Sequence, residues 1–362
     1  MTVNTPHRRT RRSMSFALVT AVSAPRAGVK PIHTRRTSRA TPRLIAPRAV
    51  EGASPSPAAD ETVAQDPGKK RRPELACPIC LRPFVAGTTC ACCSRTFPTT
   101  DGAVLDLCLD AGGANGTYTD PPLRKSGTAL FQSDAISGIY ENGWRQSFAW
   151  AGFPGEQTEW EYSMEYIRDA GCAGGVLLDV SCGSGLFTRR FAGSGEFDHV
   201  VASDYSASMM KQTRAYCDEN GETAKAVKDG TLSFVKADVG RLPFATGSVD
   251  AVHAGAAMHC WPSPSAAVAE ISRVLRPGGV FVASTFMDPT SMLGDVFGAG
   301  AEEAAAPLSE AFIRSGVGTG GAFNQFWSER ELRDLCGGMC GLENFERRRS
   351  RQFILFRVNK PV

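Results

Sequence analysis

A glycine-rich turn between a predicted strand and a predicted helix constrains the fold of this chain most strongly. Residues 176–180 form a short apolar run that is typical of a buried parallel strand, and Ser-Cys-Gly-Ser-Gly follows at 181–185. Such a turn lets a ligand approach the backbone and exposes N–H groups of the next helix. Asp204 ends the following predicted strand, where a carboxylate binds the ribose hydroxyls of an adenosine-containing ligand.

Three more predicted strands follow along the chain, at about residues 232–237, 248–255 and 275–285. Their alternation with helix-like segments predicts a doubly wound α/β sheet, which binds ligands at the carboxyl ends of its strands. Asp250 is predicted to anchor the start of its strand. The turn lacks the third glycine of the dinucleotide-binding motif, because Thr188 stands there, so a dehydrogenase is disfavoured.

The segments DVSCGSGLF, SDYSASMM, ADVGRLPFATGSVDAVHAGAAMHCWPSP and EISRVLRPGGVFVASTF occur in that order. With these segments the chain resembles class I S-adenosylmethionine-dependent methyltransferases over about residues 134–358. The resemblance implies a Rossmann-like sheet of seven strands whose last pair is antiparallel, and an enzyme that uses S-adenosylmethionine. It also implies a set of cofactor-binding residues, which are Asp179, Ser181, Gly183, Gly185, Asp204, Tyr205, Met209, Asp238 and Val239.

Each residue in that set has an implied role in the resemblance. The glycines flank the methionine part of the cofactor, Asp179 lies near its amino group, and Asp204 takes the ribose. Tyr205 and Met209 line one face of the adenine, while Asp238 meets its amino group with Val239 beside the ring. Ser181 stands where the general pattern has glycine, and a positive φ there costs a serine about 1 kcal/mol.

The acceptor side of the site is predicted around residues 258–264, just past the fourth strand. His259 is the candidate general base or acceptor-positioning residue, with a structural hydrogen bond as the alternative. Trp261 is predicted either to face the acceptor or to pack in the core. Tyr140 and Trp144 complete the predicted substrate pocket, and the glycine-rich stretch at 287–326 is a predicted lid.

Cysteines cluster ahead of the predicted sheet. Cys77 and Cys80 are followed after nine residues by Cys90 and Cys93, and two C-x2-C turns supply four thiolates to a tetrahedral zinc ion. Cys92 is left as a spare. The other seven cysteines are scattered, as in a reducing compartment, so disulfides are disfavoured. The metal is predicted to be structural, with recognition of a substrate or partner as the alternative.

Charge is distributed unevenly along the chain. Residues 1–50 contain eleven basic residues and no acid, whereas the remainder has 29 basic and 37 acidic residues, a net charge of −8. An Arg- and Ser-rich segment without acids is typical of an organellar transit peptide, with a disordered basic tail as the alternative. The acidic remainder disfavours nucleic acid as a partner. No run of about 18–20 apolar residues predicts a transmembrane helix.

Four regions are predicted: a transit peptide (1–50), a disordered linker (51–73), a zinc-ribbon-like module (74–112) and a methyltransferase domain (113–362). Within the last, pre-core helices are expected at 130–170 and the core at 175–362. A C-terminal helix near Ser328 and two antiparallel strands close the domain. Arginines at 347–351 form a basic patch, which is either a solvated hairpin edge or a contact for anionic lipid or RNA.

The N-terminal segment and the cysteine module extend the resemblance to plastid methyltransferases of plants and green algae, some of them associated with plastoglobules. The predicted location is therefore the chloroplast, in the stroma or at plastoglobules, with the mitochondrion as the alternative. The predicted acceptor is a small apolar metabolite resembling a prenylquinone, and peripheral association with a lipid particle or thylakoid is possible. A plastid rRNA base methyltransferase and a non-catalytic cofactor-binding scaffold are the alternatives.

Overall fold

The computed structural model describes residues 70–100, 103–109, 146–290 and 325–362, with scattered positions between 293 and 307. Nine strands form one mixed sheet. They are β1 (Thr99–Thr100), β2 (Val104–Asp106), β3 (Val176–Val180), β4 (His199–Asp204), β5 (Leu232–Lys236), β6 (Val249–Ala254), β7 (Leu275–Phe286), β8 (Glu343–Ser350) and β9 (Phe353–Asn359).

Six α-helices connect and cover these strands in the described part of the chain. They are α1 (Glu156–Asp169), α2 (Leu186–Ser194), α3 (Ala207–Glu219), α4 (Gly221–Lys228), α5 (Pro264–Val274) and α6 (Glu329–Arg333). Short 3-10 helices lie at Gln146–Ala151 and Met258–Cys260, and a π-helical turn follows α6 at Asp334–Met339. None of the described helices is long and apolar enough to cross a membrane.

The strand order is β1-β2-β5-β4-β3-β6-β7-β9-β8. The seven strands that follow β2 in this spatial order, beginning with β5 and ending with β8, are the predicted seven-stranded unit. The pairs β7–β9 and β8–β9 are antiparallel as expected. The order reverses between β3 and β6, where a doubly wound sheet opens a crevice for its ligand. The predicted fold class is confirmed, but the number of strands is nine because the cysteine module adds β1 and β2 at one edge.

Side chains pack against both faces of the sheet. On one face Val180 and Phe281 share a core with Ile271 of α5, and on the other Leu177 packs with residues of α1 and α2, including Phe191. β3 is buried along its whole length. Burial on both faces explains why its sequence is apolar at four of five positions, without the alternation seen in half-exposed strands.

The cysteine module joins the sheet through β2. Leu105 and Asp106 pair in parallel with Val235 and Lys236 of β5, and the Lys236 amino group lies 2.8 Å from the Asp106 carboxylate. Phe97 is buried in the core that also contains Phe244. The module and the methyltransferase-like sheet therefore share backbone pairing and a hydrophobic core.

Asp250 holds the amino-terminal edge of the sheet together. Its carboxylate accepts hydrogen bonds from the backbone N–H of Val176 at 2.8 Å, from Arg71 at 2.6 Å and from Arg276 at 2.5 Å. Asp250 is almost fully buried. This geometry matches the predicted anchoring role of Asp250. It also ties Arg71, which lies within the predicted linker, to the domain.

Candidate active site

A cavity of about 460 Å³ opens at the carboxyl ends of the central strands. This size is in the usual range for a pocket that holds a small ligand. The turns after β3, β4, β5 and β6 form its walls. The lining residues are Val180, Ser181, Gly183, Ser203, Asp204, Tyr205, Met209, Ala237, Asp238, Val239, Gly240, Leu242, Ala256, Ala257, Cys260, Trp261, Pro262, Ser263 and Ala266.

The turn between β3 and α2 takes an unusual backbone path. Ser181, Gly183 and Gly185 all have positive φ, at 52°, 58° and 79°. The expected left-handed conformation of Ser181 is therefore present. Its hydroxyl accepts a hydrogen bond from the indole N–H of Trp261 at 3.0 Å, which offsets part of the backbone strain. The serine thus fixes a ring that also lines the cavity.

Asp204, at the end of β4, presents an oriented carboxylate to the cavity. One oxygen accepts from the backbone N–H of Gly183 at 2.9 Å, and the other accepts from that of Ser206 at 2.8 Å. Burial raises the pKa of Asp204 to about 6, against the opposing effect of these backbone donors. Backbone N–H groups thus orient the carboxylate at the cavity wall, where its oxygens can also accept from hydroxyl groups of a ligand.

Tyr205, Met209, Asp238 and Val239 stand where a cofactor's adenine is predicted, and all four line the cavity. Tyr205 follows β4 directly, and Met209 lies in the first turn of α3. The other two come from the turn after β5. This part of the predicted site is brought together in one wall.

Asp179 and Gly185 lie behind the wall rather than in it. Asp179 is buried, and its two oxygens accept from Thr188 at 2.5 Å and face Nδ1 of His253 at 2.8 Å. A Cβ added to Gly185 would lie 2.5 Å from a Thr213 methyl group, so this glycine permits close packing of α2 against α3. The structure thus gives both residues supporting contacts, and direct contact with a cofactor stays a prediction.

His259 and Trp261 also differ in whether they line the cavity. Trp261 lines the cavity, whereas His259 is 1% exposed and outside the lining, with Nδ1 3.4 Å from the Thr285 hydroxyl and its ring edge-on to Phe286. The structural alternative for His259 matches this position. Tyr140, Trp144 and most of the predicted lid lie outside the described residues.

The sequence did not single out several lining residues, including Ser203, Gly240, Ala256 and Ala257. Ala256 has a φ of 50°, and its N–H donates to the Ser284 hydroxyl at 2.7 Å. Small residues directly after the carboxyl end of a buried strand are the signal that identifies such positions in hindsight.

The four predicted metal ligands come together. The Sγ atoms of Cys77, Cys80, Cys90 and Cys93 all lie within 4.8 Å of one another, while Cys92 is exposed. Tetrahedral zinc with bonds of about 2.3 Å needs sulfur atoms a little under 4 Å apart, so a small contraction of the cluster fits the ion.

The two halves of the cluster repeat one backbone turn. Leu81 N–H donates to Cys77 O and Ser94 N–H donates to Cys90 O, each at 2.8 Å, and Leu81 and Ser94 both have positive φ. The repeat pairs Cys77 with Cys80 and Cys90 with Cys93, and it fits a four-thiolate metal site.

The arginines at 347–351 have partners. Arg347 and Arg349 lie 2.6 and 3.4 Å from the Glu329 carboxylate, and Arg348 bonds Glu165 at 2.5 Å. Arg351 donates to the carbonyl of Trp150. Such pairing matches the solvated-hairpin interpretation and leaves less free positive charge for lipid or RNA.

Comparison with known proteins gives a consistent assignment. Residues 178–283 match the family described as "Methyltransferase domain". The chain is 40% identical over 315 residues to the uncharacterized chloroplastic methyltransferase At1g78140 of Arabidopsis thaliana, which covers 82% of this chain and 81% of the relative. A second Arabidopsis thaliana protein, the uncharacterized chloroplastic methyltransferase At2g41040, is 38% identical over 301 residues, or 79% of this chain and 78% of the relative.

A shorter match connects the chain with a protein of named chemistry. The ubiquinone/menaquinone biosynthesis C-methyltransferase of Pseudomonas paraeruginosa is 33% identical over 122 residues, which are 33% of this chain and 45% of that protein.

A doubly wound sheet with an oriented acid after its second core strand defines an α/β protein that binds a nucleoside-containing cofactor. More narrowly, the chain belongs to the methyltransferase family of the two Arabidopsis proteins. It is a methyltransferase, and S-adenosylmethionine is its methyl donor.

Proposed function

We propose that the chain transfers a methyl group from S-adenosylmethionine, bound in the 460 Å³ cavity, to a small apolar plastid metabolite resembling a prenylquinone. The observation that carries the cofactor assignment is the Asp204 carboxylate, held by two backbone N–H groups at the cavity wall. A carboxylate oriented in this way suits the two ribose hydroxyls. Tyr205 and Met209 then cover one adenine face, and Asp238 receives the adenine amino group.

The apolar acceptor is supported by the part of the lining that follows β6. Ala256, Ala257, Trp261 and Pro262 supply this part, and none of them carries a charge. An uncharged wall favours an apolar ring over a phosphate-rich acceptor. The partial match to a quinone C-methyltransferase points in the same direction.

The bound cofactor supplies an electrophilic methyl group on a sulfonium. The protein's share of the reaction is to align the acceptor with that methyl and to exclude water. Trp261, fixed by Ser181, sets the position of one wall. His259 is buried away from the cavity, so a general base is not assigned to it in this geometry.

We further propose a structural zinc ion at Cys77, Cys80, Cys90 and Cys93. The paired turns and the four clustered thiols support this assignment. Four thiolates fill the coordination shell, so the ion has no open position for chemistry.

A chloroplast location is proposed from two independent supports. The first is the acid-free, arginine-rich segment at residues 1–50. The second is that two relatives covering about four fifths of the chain are named chloroplastic. Association with plastoglobules remains a finer prediction.

In the deciding experiment, the full chain is incubated with a plastid extract and S-adenosylmethionine labelled on its methyl group. Label is expected in the lipid fraction, and Asp204→Ala should weaken cofactor binding by about 1–3 kcal/mol and abolish that label. Label confined to RNA would identify the rRNA base methyltransferase. Cofactor binding with label in neither fraction would identify the scaffold.

A further inference from the structure

We propose that the metal-bound state of the cysteine cluster controls cofactor affinity, and that Arg241 is the positioning residue that couples the two sites. The inference rests on the proposed zinc ion and the proposed cofactor site. It adds a connection between them.

Arg241 reaches from the cavity loop into the first metal-binding turn. Its Nε donates to the carbonyl of Pro78 and its Nη2 donates to the carbonyl of Ile79, both at 2.6 Å. Pro78 and Ile79 are the two residues between Cys77 and Cys80. Their carbonyls are therefore placed by the same turn that aims two thiolates at the metal.

The backbone of Arg241 belongs to the adenine side of the cavity. Its N–H donates to the carbonyl of Asp238 at 2.9 Å and closes the turn after β5. Asp238, Val239 and Gly240, within this turn, line the cavity, as does Leu242 directly after it. The arginine thus joins one wall of the cavity to the metal-binding turn.

The far end of this loop has a different support. The N–H of Leu242 donates to the Glu270 carboxylate at 2.8 Å, and the carbonyl of Leu242 accepts from Arg273 at 2.8 Å. These contacts come from α5 and do not depend on the metal. Within this loop, Arg241 is therefore held by the turn at 77–80, whereas Leu242 is held by a helix.

The metal holds the turn at 77–80 in shape. Without the ion, the four Sγ atoms within 4.8 Å of one another have no cation that holds them together, and the turn loses its organising ligand. Pairing of the module with the sheet persists, since Ala76 N–H donates to the carbonyl of Pro243 and β2 pairs with β5. Loss of metal is thus expected to move the two carbonyl acceptors of Arg241 and to loosen the adenine wall.

Coupling between two binding sites is reciprocal. If zinc raises affinity for the cofactor, then the cofactor must raise affinity for zinc by the same factor. The same arginine should carry both effects.

The test uses the full chain, loaded with zinc or stripped by a chelator under reducing conditions. S-adenosylhomocysteine, the product form of the cofactor, serves as the ligand in isothermal titration calorimetry. Stripping should weaken its binding about tenfold, and restored zinc should return it, because two charge-assisted hydrogen bonds of the wall are involved. Arg241→Met, with zinc bound, should bind about tenfold more weakly than wild type and show no further dependence on metal.

The matched control is Arg82→Met, which removes an exposed arginine two residues after Cys80. It should keep wild-type affinity and its full metal dependence. In a second readout, saturating S-adenosylhomocysteine should slow zinc transfer to a colorimetric chelator in wild type and in Arg82→Met but not in Arg241→Met. Zinc content and circular dichroism, measured for each variant, establish that Arg241→Met is loaded and folded.

The outcomes separate the inference from the function on which it rests. If zinc-loaded wild type does not bind S-adenosylhomocysteine, the proposed cofactor site is wrong. If it binds equally well when loaded, stripped or changed to Arg241→Met, the cofactor site stands and the coupling is refuted. A chain that takes up no zinc also refutes the coupling.

Discussion

At the residue scale, Ser181 shows how a strained position can be useful. Its left-handed backbone favours glycine, yet its hydroxyl is the acceptor for the indole N–H of Trp261 in the cavity lining. The strain and the hydrogen bond can be separated by substitution.

We predict that Ser181→Ala costs more stability than Ser181→Gly. Alanine keeps the strain and leaves the buried indole N–H without this acceptor, a loss of about 1–3 kcal/mol. Glycine loses the same hydrogen bond but relieves about 1 kcal/mol of strain. Urea unfolding measures the two free energies, and an equal or reversed order would contradict the assignment.

A second residue-scale prediction concerns pH. Because burial raises the pKa of Asp204 to about 6, the free protein carries a neutral carboxyl below that pH and a charged one above it. Ribose hydroxyls bind the charged form better, so cofactor affinity should rise with pH and level off near pH 7. At pH 5 it should be about tenfold weaker than at pH 7.

Calorimetric titration at several pH values checks this expectation, with Asp204→Asn as the control. The variant should bind weakly and with no change between pH 5 and 7. His199 does not contribute to the change in cofactor affinity between pH 5 and 7, because burial lowers its pKa to about 4 and it stays neutral over this range. A wild-type affinity that is flat across pH 5 to 7 would remove Asp204 from the ribose site.

At the scale of elements, the two cysteine turns make a prediction about stoichiometry. Cys80→Ser should lose zinc, since it breaks one of two matching turns, whereas Cys92→Ser should retain one zinc per chain because Cys92 is exposed outside the cluster. Elemental analysis of purified protein counts the ion. Zinc lost on substitution of Cys92 would show that the ligand set is different.

Elements also show where prediction from sequence succeeds. The apolar runs of β3 and β4, the glycine turn and the acid at Asp204 each carry a local signal, and the structure brings them together at one edge of the sheet. The strand β2 has only three residues and acquires its place by pairing with β5, more than 120 residues away. The loose apolar alternation around residues 97–107 predicts a short strand pair, but nothing in it reveals the pairing with β5.

Prediction of the site from sequence is limited in the same way, because some of its contacts join residues that are far apart along the chain. Asp179 sits in the expected motif, but its oxygens are taken by Thr188 and by His253, the latter on another strand. A motif marks a residue as necessary to the site without telling whether it touches ligand or supports the wall. The contacts of Arg241 likewise join segments about 160 residues apart, which spacing alone does not reveal.

At the scale of the whole molecule, the shared core predicts cooperative unfolding. Phe97 of the module is 1% exposed and packs in the same cluster as Phe244. Phe97→Ala should therefore lower the unfolding free energy of the entire described domain by about 3–5 kcal/mol, in one transition. Val85→Ala, at a side chain that is 89% exposed in the same module, should change it by less than about 0.5 kcal/mol.

Calorimetry combined with far-ultraviolet circular dichroism tests this prediction. Two separate transitions, only one of them shifted by Phe97→Ala, would show that the module melts independently of the sheet.

The anchoring of Arg71 by Asp250 has a consequence for orientation. That contact lies at the amino-terminal edge of the sheet, opposite the edge at which the cavity opens. Lys360 lies at the same edge. Its carbonyl accepts a hydrogen bond from the backbone N–H of Gly278, just before the buried part of β7. If the protein is immobilised on a surface through residues next to Arg71 or Lys360, the mouth of the cavity thus faces away from that surface. The cavity is then free to exchange cofactor and acceptor.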